Sequence, residues 1–166
     1  MSQNIVDFKS QFLGGARANL FRVTGLDEIS TQRGFLVKAA SIPSSIINPI
    51  TVPFRGRQLQ VAGDRTFEPW VITVINDVNF TIRRRFEDWM KLINQHATNT
   101  GVSAPSGYMK QATVEQLGKD GSVLASYSFR DIWPSAVSAI DLSYDAENTI
   151  EEFTVEMQVT YWERIK

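Results

Sequence analysis

Strand-like alternation governs most of this chain, and a helical period occurs in one place only. Residues 19–24 set Leu20 and Arg22 against Phe21 and Val23, the two-residue period of a first strand. Residues 25–34 hold turn formers, and residues 35–42 predict a second strand that stops at Pro43. Residues 68–77 are nearly continuous in β-branched side chains, Val71 through Ile75. That run fits a strand buried on both faces, or buried on one and held in a subunit contact on the other. Between residues 80 and 97 Ile82, Phe86, Trp89, Met90 and Ile93 recur at helical spacing, while Arg84, Arg85, Glu87, Asp88 and Lys91 take other faces. Asn79 is the predicted N-cap. Residues 98–107 read as an exposed loop. Residues 108–117 and 122–131 flank Gly118-Lys119-Asp120-Gly121, a hairpin signal with an Asp-Gly turn. Trp133-Pro134 predicts a break, residues 136–144 a further strand and residues 145–148 a turn. Residues 150–162 then alternate Phe153, Val155, Met157, Val159 and Tyr161 against Thr154, Glu156, Gln158 and Thr160. One face is core; the other is wet or lines a channel. The polar segment 1–17, with Phe8, Phe12 and a Gly14-Gly15 pair, reads as a flexible N-terminal arm that orders on assembly.

The stretch from Ser44 to Trp70 stands apart. It is too long and too β-prone for an ordinary loop, because connections above about 12–15 residues without structure of their own are uncommon in compact domains. Val52, Phe54, Leu59 and Val61 are spread through it, and Arg55, Gly56 and Arg57 sit between its halves. Pro49 and Pro53 make the ascending half an edge strand or a partly paired one. Residues 44–67 therefore predict an extended β-hairpin arm. Apolar residues along such an arm, with guanidinium groups near its end, call for a partner outside its own domain. The predicted fold is one domain over 1–166, mainly β: an antiparallel β-sandwich or small barrel with one packed α-helix and the arm.

Composition narrows the classes. The chain has 166 residues, 43% hydrophobic and 21% charged, which fits one folded domain with a sizeable core. No apolar run approaches the roughly 18 residues of a membrane span, and the N-terminus lacks a signal-peptide pattern, so export by that route is not expected. The absence of cysteine excludes disulfides, thiolate metal sites and cysteine nucleophiles. A net charge of −1 hides an asymmetry. From Asp131 onward there are eight acids and two bases, so of the chain's 17 basic and 18 acidic residues the remainder holds 15 and 10. This is either scatter or two complementary surfaces that guide head-to-tail stacking of identical units.

Little in the sequence points to chemistry. His96 is the only histidine and falls at the expected helix end, where the dipole favours it. The Ser41-to-Ser45 cluster has no histidine nearby to activate it, and Gly118 and Gly121 do not form a phosphate loop. Arg83-Arg84-Arg85 spread around the helix instead of forming one patch. They read as solvated or paired with Glu87 and Asp88. Trp70, Trp89, Trp133 and Trp162 read as core or subunit seams, not base-stacking platforms. Asp64-Arg65 is a local ion pair bracing the arm or a subunit contact. No catalytic, cofactor-binding or metal-binding residue is predicted.

The arm and the strand after it carry a resemblance. The run from Arg57 through Val61-Ala62-Gly63-Asp64-Arg65-Thr66-Phe67, continuing as Trp70 to Asp77, is similar to the tail tube proteins of contractile-tailed, T4-like bacteriophages. Ala18-Asn19-Leu20-Phe21-Arg22-Val23, Ile132-Trp133-Pro134 and the terminal strand from Phe153 to Glu163 agree in the same order. The resemblance implies a β-sandwich with one helix and six-membered rings in which each subunit adds strands to a continuous inner barrel. It implies rings stacked head to tail into a hollow tube, built on baseplate tube proteins around a tape-measure protein, enclosed by a sheath protein, and passing double-stranded DNA in the virion. Under it, Val52, Phe54, Arg55, Arg57, Leu59, Val61, Asp64 and Arg65 are expected at contacts between subunits or rings. Asp145, Glu147, Glu156, Gln158 and Thr160 are expected at the lumen or ring ends. A contractile bacteriocin or a type VI-like injection system would use a similar tube. A single-stranded nucleic-acid-binding β-barrel would need clustered bases and exposed aromatics on one sheet, and one histidine, no cysteine and no paired-carboxylate motif leave an enzyme little to work with.

Overall fold

The computed structural model describes residues 4–12, 14–26 and 36–166. Two helices and nine strands follow along them: α1 (Ile5–Phe12), β1 (Phe21–Thr24), β2 (Val37–Ala40), β3 (Ser45–Phe54), β4 (Arg57–Phe67), β5 (Trp70–Ile75), α2 (Thr81–Ile93), β6 (Lys110–Leu117), β7 (Val123–Val137), β8 (Glu152–Gln158) and β9 (Tyr161–Arg164). Most of the turn expected over 25–34, with Phe35, lies outside the described residues. All strand pairs are antiparallel.

The fifteen-residue β7 organises the body. Its first part pairs with β6 on one side and, over Tyr127–Arg130, with β9 on the other; its last part, Trp133–Val137, pairs with β8. One strand thus belongs to two layers, β1-β6-β7-β9 and β7-β8-β5-β2. The change of layer falls at Asp131, whose φ of 53° puts a left-handed residue inside the strand. Aspartate tolerates that conformation better than most side chains.

Alternation decides which faces meet. Trp70, Ile72 and Val74 of β5 and Phe153, Val155 and Met157 of β8 point inward and are buried together with Val23, Ala112, Val114 and Phe129 of the other layer. Trp70 and Phe129 are both fully buried and stack across the layers, with ring centroids 4.5 Å apart and planes at 8°. Helix α2 closes one side by burying Ile82, Phe86 and Trp89. Phe86 meets Phe153 edge-on at 6.4 Å, and the Trp89 indole N–H donates to the Tyr108 carbonyl at 2.7 Å. This is a mainly β antiparallel sandwich with a packed helix, as the periodicity predicts.

Several local expectations are corrected. Ile5–Phe12, inside the segment read as a flexible arm, forms helix α1, so there are two helices where one was expected. None of its residues is buried. Helix α2 begins at Thr81 and ends at Ile93, short of His96, which is exposed. A Cβ at Gly101 would collide with the Ile93 carbonyl, so the chain after the helix packs closely against its last turn. The helix start is not capped by Asn79: Phe80 occupies the cap in a left-handed conformation without a side-chain bond. Asp77 serves instead, accepting from the Ile82 amide at 3.4 Å. Its slight burial raises the pKa, but hydrogen bonds from Thr81 and from the Ile82 amide outweigh that and hold it below 3.8.

Trp133-Pro134 does not break the chain. The strand continues to Val137, and residues 138–151, expected to begin with a strand, are irregular. Proline is tolerated at a sheet edge or a bulge, and Pro134 has both: a register shift follows it, and β7 has only β8 as neighbour there. The last alternating run also divides. Residues 159–160 bend, and the register resumes in β9 with Trp162 packed against the core and Tyr161 exposed, the reverse of the expected phase.

Removing the Phe129 ring takes away one half of the stack that joins the layers. Phe129→Ala is expected to cost about 3–5 kcal/mol, read as a lowered urea midpoint of the unassembled subunit at an unchanged slope.

Candidate assembly interface

Strands β3 and β4 form a two-stranded ribbon that pairs with no other strand among the described residues. Arg55 and Gly56 make its turn with φ of 46° and 79°. Two successive positive φ values define the type I′ turn that matches the twist of a hairpin. Register then sorts the side chains. Phe54 faces Arg57, Val52 faces Leu59 and Ile50 faces Val61, so these six share one face. Pro53 with Gln58, Thr51 with Gln60 and Pro49 with Ala62 share the other. The Thr51 hydroxyl donates to the Gln60 side chain there, at 3.0 Å. That face is mixed, with Pro49, Pro53 and Ala62 beside the bonded Thr51 and Gln60; the other is apolar apart from Arg57 and uncovered. Phe54 is 67% exposed and Leu59 62%, and Ile50, Val52 and Val61 are also exposed.

The ribbon carries an extra residue on β4, where the register shifts between Ile47 and Pro49. Gly63 sits at this bulge, and a Cβ there would lie 2.6 Å from the Asn48 carbonyl and 2.9 Å from Ile50. Only glycine allows the close approach. Ties to the body are confined to the base. The Glu68 amide donates to the Ser44 carbonyl at 3.3 Å, the Ser44 hydroxyl donates to the Glu68 carboxylate at 2.5 Å, and Phe67 meets Trp162 edge-on at 6.0 Å. Arg55 lies over the Phe54 ring at 5.4 Å. No ion pair joins Asp64 to Arg65 among the described residues.

The body presents a second kind of unfilled contact. In the layer β7-β8-β5-β2, strand β2 and the end of β7 each lack an outer neighbour among the described residues. The outward face of this layer holds Val71, Thr73 and Ile75 opposite Glu156, Thr154 and Glu152. Glu152 is bound to Lys38 at 2.5 Å. Gln158 donates to the Ser135 hydroxyl at 3.3 Å, and that hydroxyl donates to the Glu156 carbonyl at 3.1 Å. Glu156 and Gln158 thus share this face. Thr160 lies in the bend beyond it, its amide donating to the Arg130 carbonyl at 3.2 Å. Asp145 and Glu147 lie away from both, exposed on the irregular segment after β7. Of the arginine triplet, Arg83 pairs with Glu87 at 2.9 Å and donates to the Ser138 carbonyl at 3.0 Å. All four tryptophans are buried or packed against the core.

Sequence reasoning missed Ile50, which is in phase with Val52 and Phe54 but stands next to Pro49. It also missed Leu142, Tyr144 and Ile150, exposed on a segment with no period to betray them. Among the described residues no group of three or more His, Asp or Glu side chains is arranged to hold a metal, and no helix is long and apolar enough to cross a membrane.

Residues 2–165 match the phage tail tube protein family. The chain belongs to that family. Tail tube protein gp19 of Enterobacteria phage T4 is 34% identical over 149 residues, 89% of this chain and 91% of that one. The fold is shared more widely. A chain of the anti-feeding prophage baseplate superposes with a TM-score of 0.66 at 10% identity, over 91% of this chain and 95% of that one. A chain of the PVC sheath–tube complex of an extracellular contractile injection system, in the extended state, gives 0.59 at 13% identity over 98% of both. This tail tube protein is a structural component of the virion tail. Among the described residues the arm's apolar face and the β2 and β7 edges are without partners.

A Cβ at the bulge separates arm geometry from body stability. Gly63→Ala is expected to leave the thermal midpoint of the tail tube subunit within a few degrees of wild type while sharply reducing the fraction that sediments as polymer.

Proposed function

We propose that six copies of this tail tube protein close into a ring and that rings stack through the arm into a hollow tube. The observation that carries this reading is the arm's uncovered apolar face: five aliphatic or aromatic side chains in register, exposed on a ribbon that pairs with no other strand among the described residues. Exposed apolar surface in such a row marks a docking site. Val52, Phe54, Leu59 and Val61 are the apolar anchors, Arg55 and Arg57 supply charge at the tip, and Asp64 and Arg65 project from the bulge. Ring closure pairs β2 of one copy with the end of β7 of the next, which removes the open edges that favour uncontrolled aggregation. The outward face of β7-β8-β5-β2, with Thr73, Thr154, Glu156 and Gln158, then lines the lumen. Lys38 of β2 is paired with Glu152, and β5, β8 and the end of β7 from Trp133 to Val137 carry no base, so this wall offers DNA little for the counterion-release binding that bases provide.

On this reading the partners are the sheath protein outside, baseplate tube proteins at the start and a tape-measure protein within, with double-stranded DNA passing through. The role is mechanical and not catalytic. The likeness to injection-system tubes is one of fold, while the sequence relationship is to phage tail tubes.

Two measurements test it. Negative-stain electron microscopy over a concentration series, with a tail baseplate added as primer, is expected to show hollow tubes of uniform width for wild type and none for Phe54→Asp combined with Arg57→Glu. Wild-type assembly rates in that variant would exclude the arm as the stacking element. For the lumen, Glu156→Lys with Gln158→Lys is expected to assemble and to retain DNA in a salt-sensitive manner, whereas wild-type tubes release it. DNA retention indistinguishable from wild type would move the lumen to another face.

A further inference from the structure

The arm needs a receiving surface, and the register of the sheet locates the two at opposite ends of one layer. Along β5 the pairing runs from Trp70 with Met157 to Ile75 with Glu152. The arm leaves the body just before Trp70. Residues 138–151, which link Val137 to Glu152, emerge at the Ile75 end. The Asn76 amide and side chain both bond to Glu151 there, at 2.9 Å each, fixing the root of that segment.

This segment bounds an open groove of ≈ 420 Å³, lined by Ile140, Leu142, Ala146 and Ile150 together with Asp141 and Glu151. Leu142 is 79% exposed, and Tyr144 and Ile150 are also exposed. The segment carries Asp141, Asp145, Glu147 and Glu151 and not one base. Neither Asp141, Asp145 nor Glu147 is in an ion pair among the described residues. The arm tip has the complementary make-up: exposed Phe54 and Leu59, with Arg55 and Arg57 likewise outside any ion pair. Two apolar surfaces of opposite charge, each unmatched within its own chain, fit one another.

We propose that the groove formed by residues 138–151 is the docking site for the arm tip of a second copy of this chain. Phe54 and Leu59 enter among Ile140, Leu142 and Ile150 of the groove, while Arg55 and Arg57 meet Asp141 in it and Asp145 and Glu147 beside it on the same segment. The proposal rests on the tail tube reading and names the surface that the stacking arm engages. Because donor and acceptor lie at opposite ends of a layer, the contact is head to tail and does not close on itself. Arms at ~3.3 Å per residue reach about 30 Å from their base, enough to pass from one subunit to the next.

The chain has no cysteine, so an introduced pair reports without background. Leu59→Cys and Leu142→Cys are placed in one chain, tubes are grown from a baseplate primer, and a short bismaleimide is added. A ladder of covalent oligomers is expected on a denaturing gel. An equal mixture of the two single variants is expected to stop at dimers, and a pair of Leu59→Cys with Leu124→Cys is expected to give none. Tubes that form without the Leu59–Leu142 ladder would overturn the docking site while leaving the tube reading intact; absence of tubes from primed wild-type protein would overturn that reading itself. If the cysteine variant does not assemble, charge reversal decides. Arg55→Glu with Arg57→Glu, and separately Asp145→Arg with Glu147→Arg, are each expected to reduce tube yield at least tenfold, and all four changes in one chain to restore at least half of it. No recovery in the fourfold variant would sink the pairing.

Discussion

A two-stranded ribbon is marginally stable in water because neither face has a core to bury against. This chain nevertheless holds one of ten and eleven residues per strand, and its order comes from local devices. A type I′ turn sets the twist, a glycine bulge admits the close approach of Asn48, and a Thr51–Gln60 bond links the strands on the mixed face. None of these covers the apolar face, so the ribbon carries a standing debt that only another molecule can settle. The sandwich beneath it has a filled interior: Trp70, Phe129, Phe153 and Phe86 pack inside it, and helix α2 covers one side. The arm is thus an uncovered limb on a packed core, and where it is attached bears on the geometry of assembly.

The attachment is governed by β5. Its inward side chains, Trp70, Ile72 and Val74, anchor it in the core, and its pairing with β8 fixes its direction. The arm continues directly from its first residue and the α2 connection from its last. Because the limb grows from a strand that is itself buried, a load on the arm passes into the stack of Trp70 on Phe129 and so into both layers. Loop-borne contacts lack such a route, so the arm is the stiffer kind of connection.

Much of this was legible in the sequence because burial here is periodic. Val52, Phe54, Leu59 and Val61 fall on one face by simple alternation once the turn is placed at Arg55-Gly56, and β5 and β8 are read from their apolar positions in the same way. Two of the failures depended on which edges find partners. Pro134 looks like a break until β7 is seen to have an unpaired edge there. Tyr161 looks inward-facing until the bend at 159–160 moves β9 to the other layer, where Trp162 packs on Phe67 and Tyr127 instead. Asn79 is in the expected place for a cap, yet the left-handed Phe80 shifts the task to Asp77. For the interface, the arm was legible and its counterpart was not, since Leu142, Tyr144 and Ile150 sit on a segment without regular structure and no period links them.

A polymer made by such subunits has unlike ends: one presents arms and the other presents grooves. The β2 edge is short and bulged, a feature that blunts strand edges against unguided pairing. On the proposed stacking, a preformed end holds several subunits side by side at its receiving surfaces, and each new ring supplies sites for the next. Exposed apolar surface, ordinarily a liability, is on that reading covered as each ring joins.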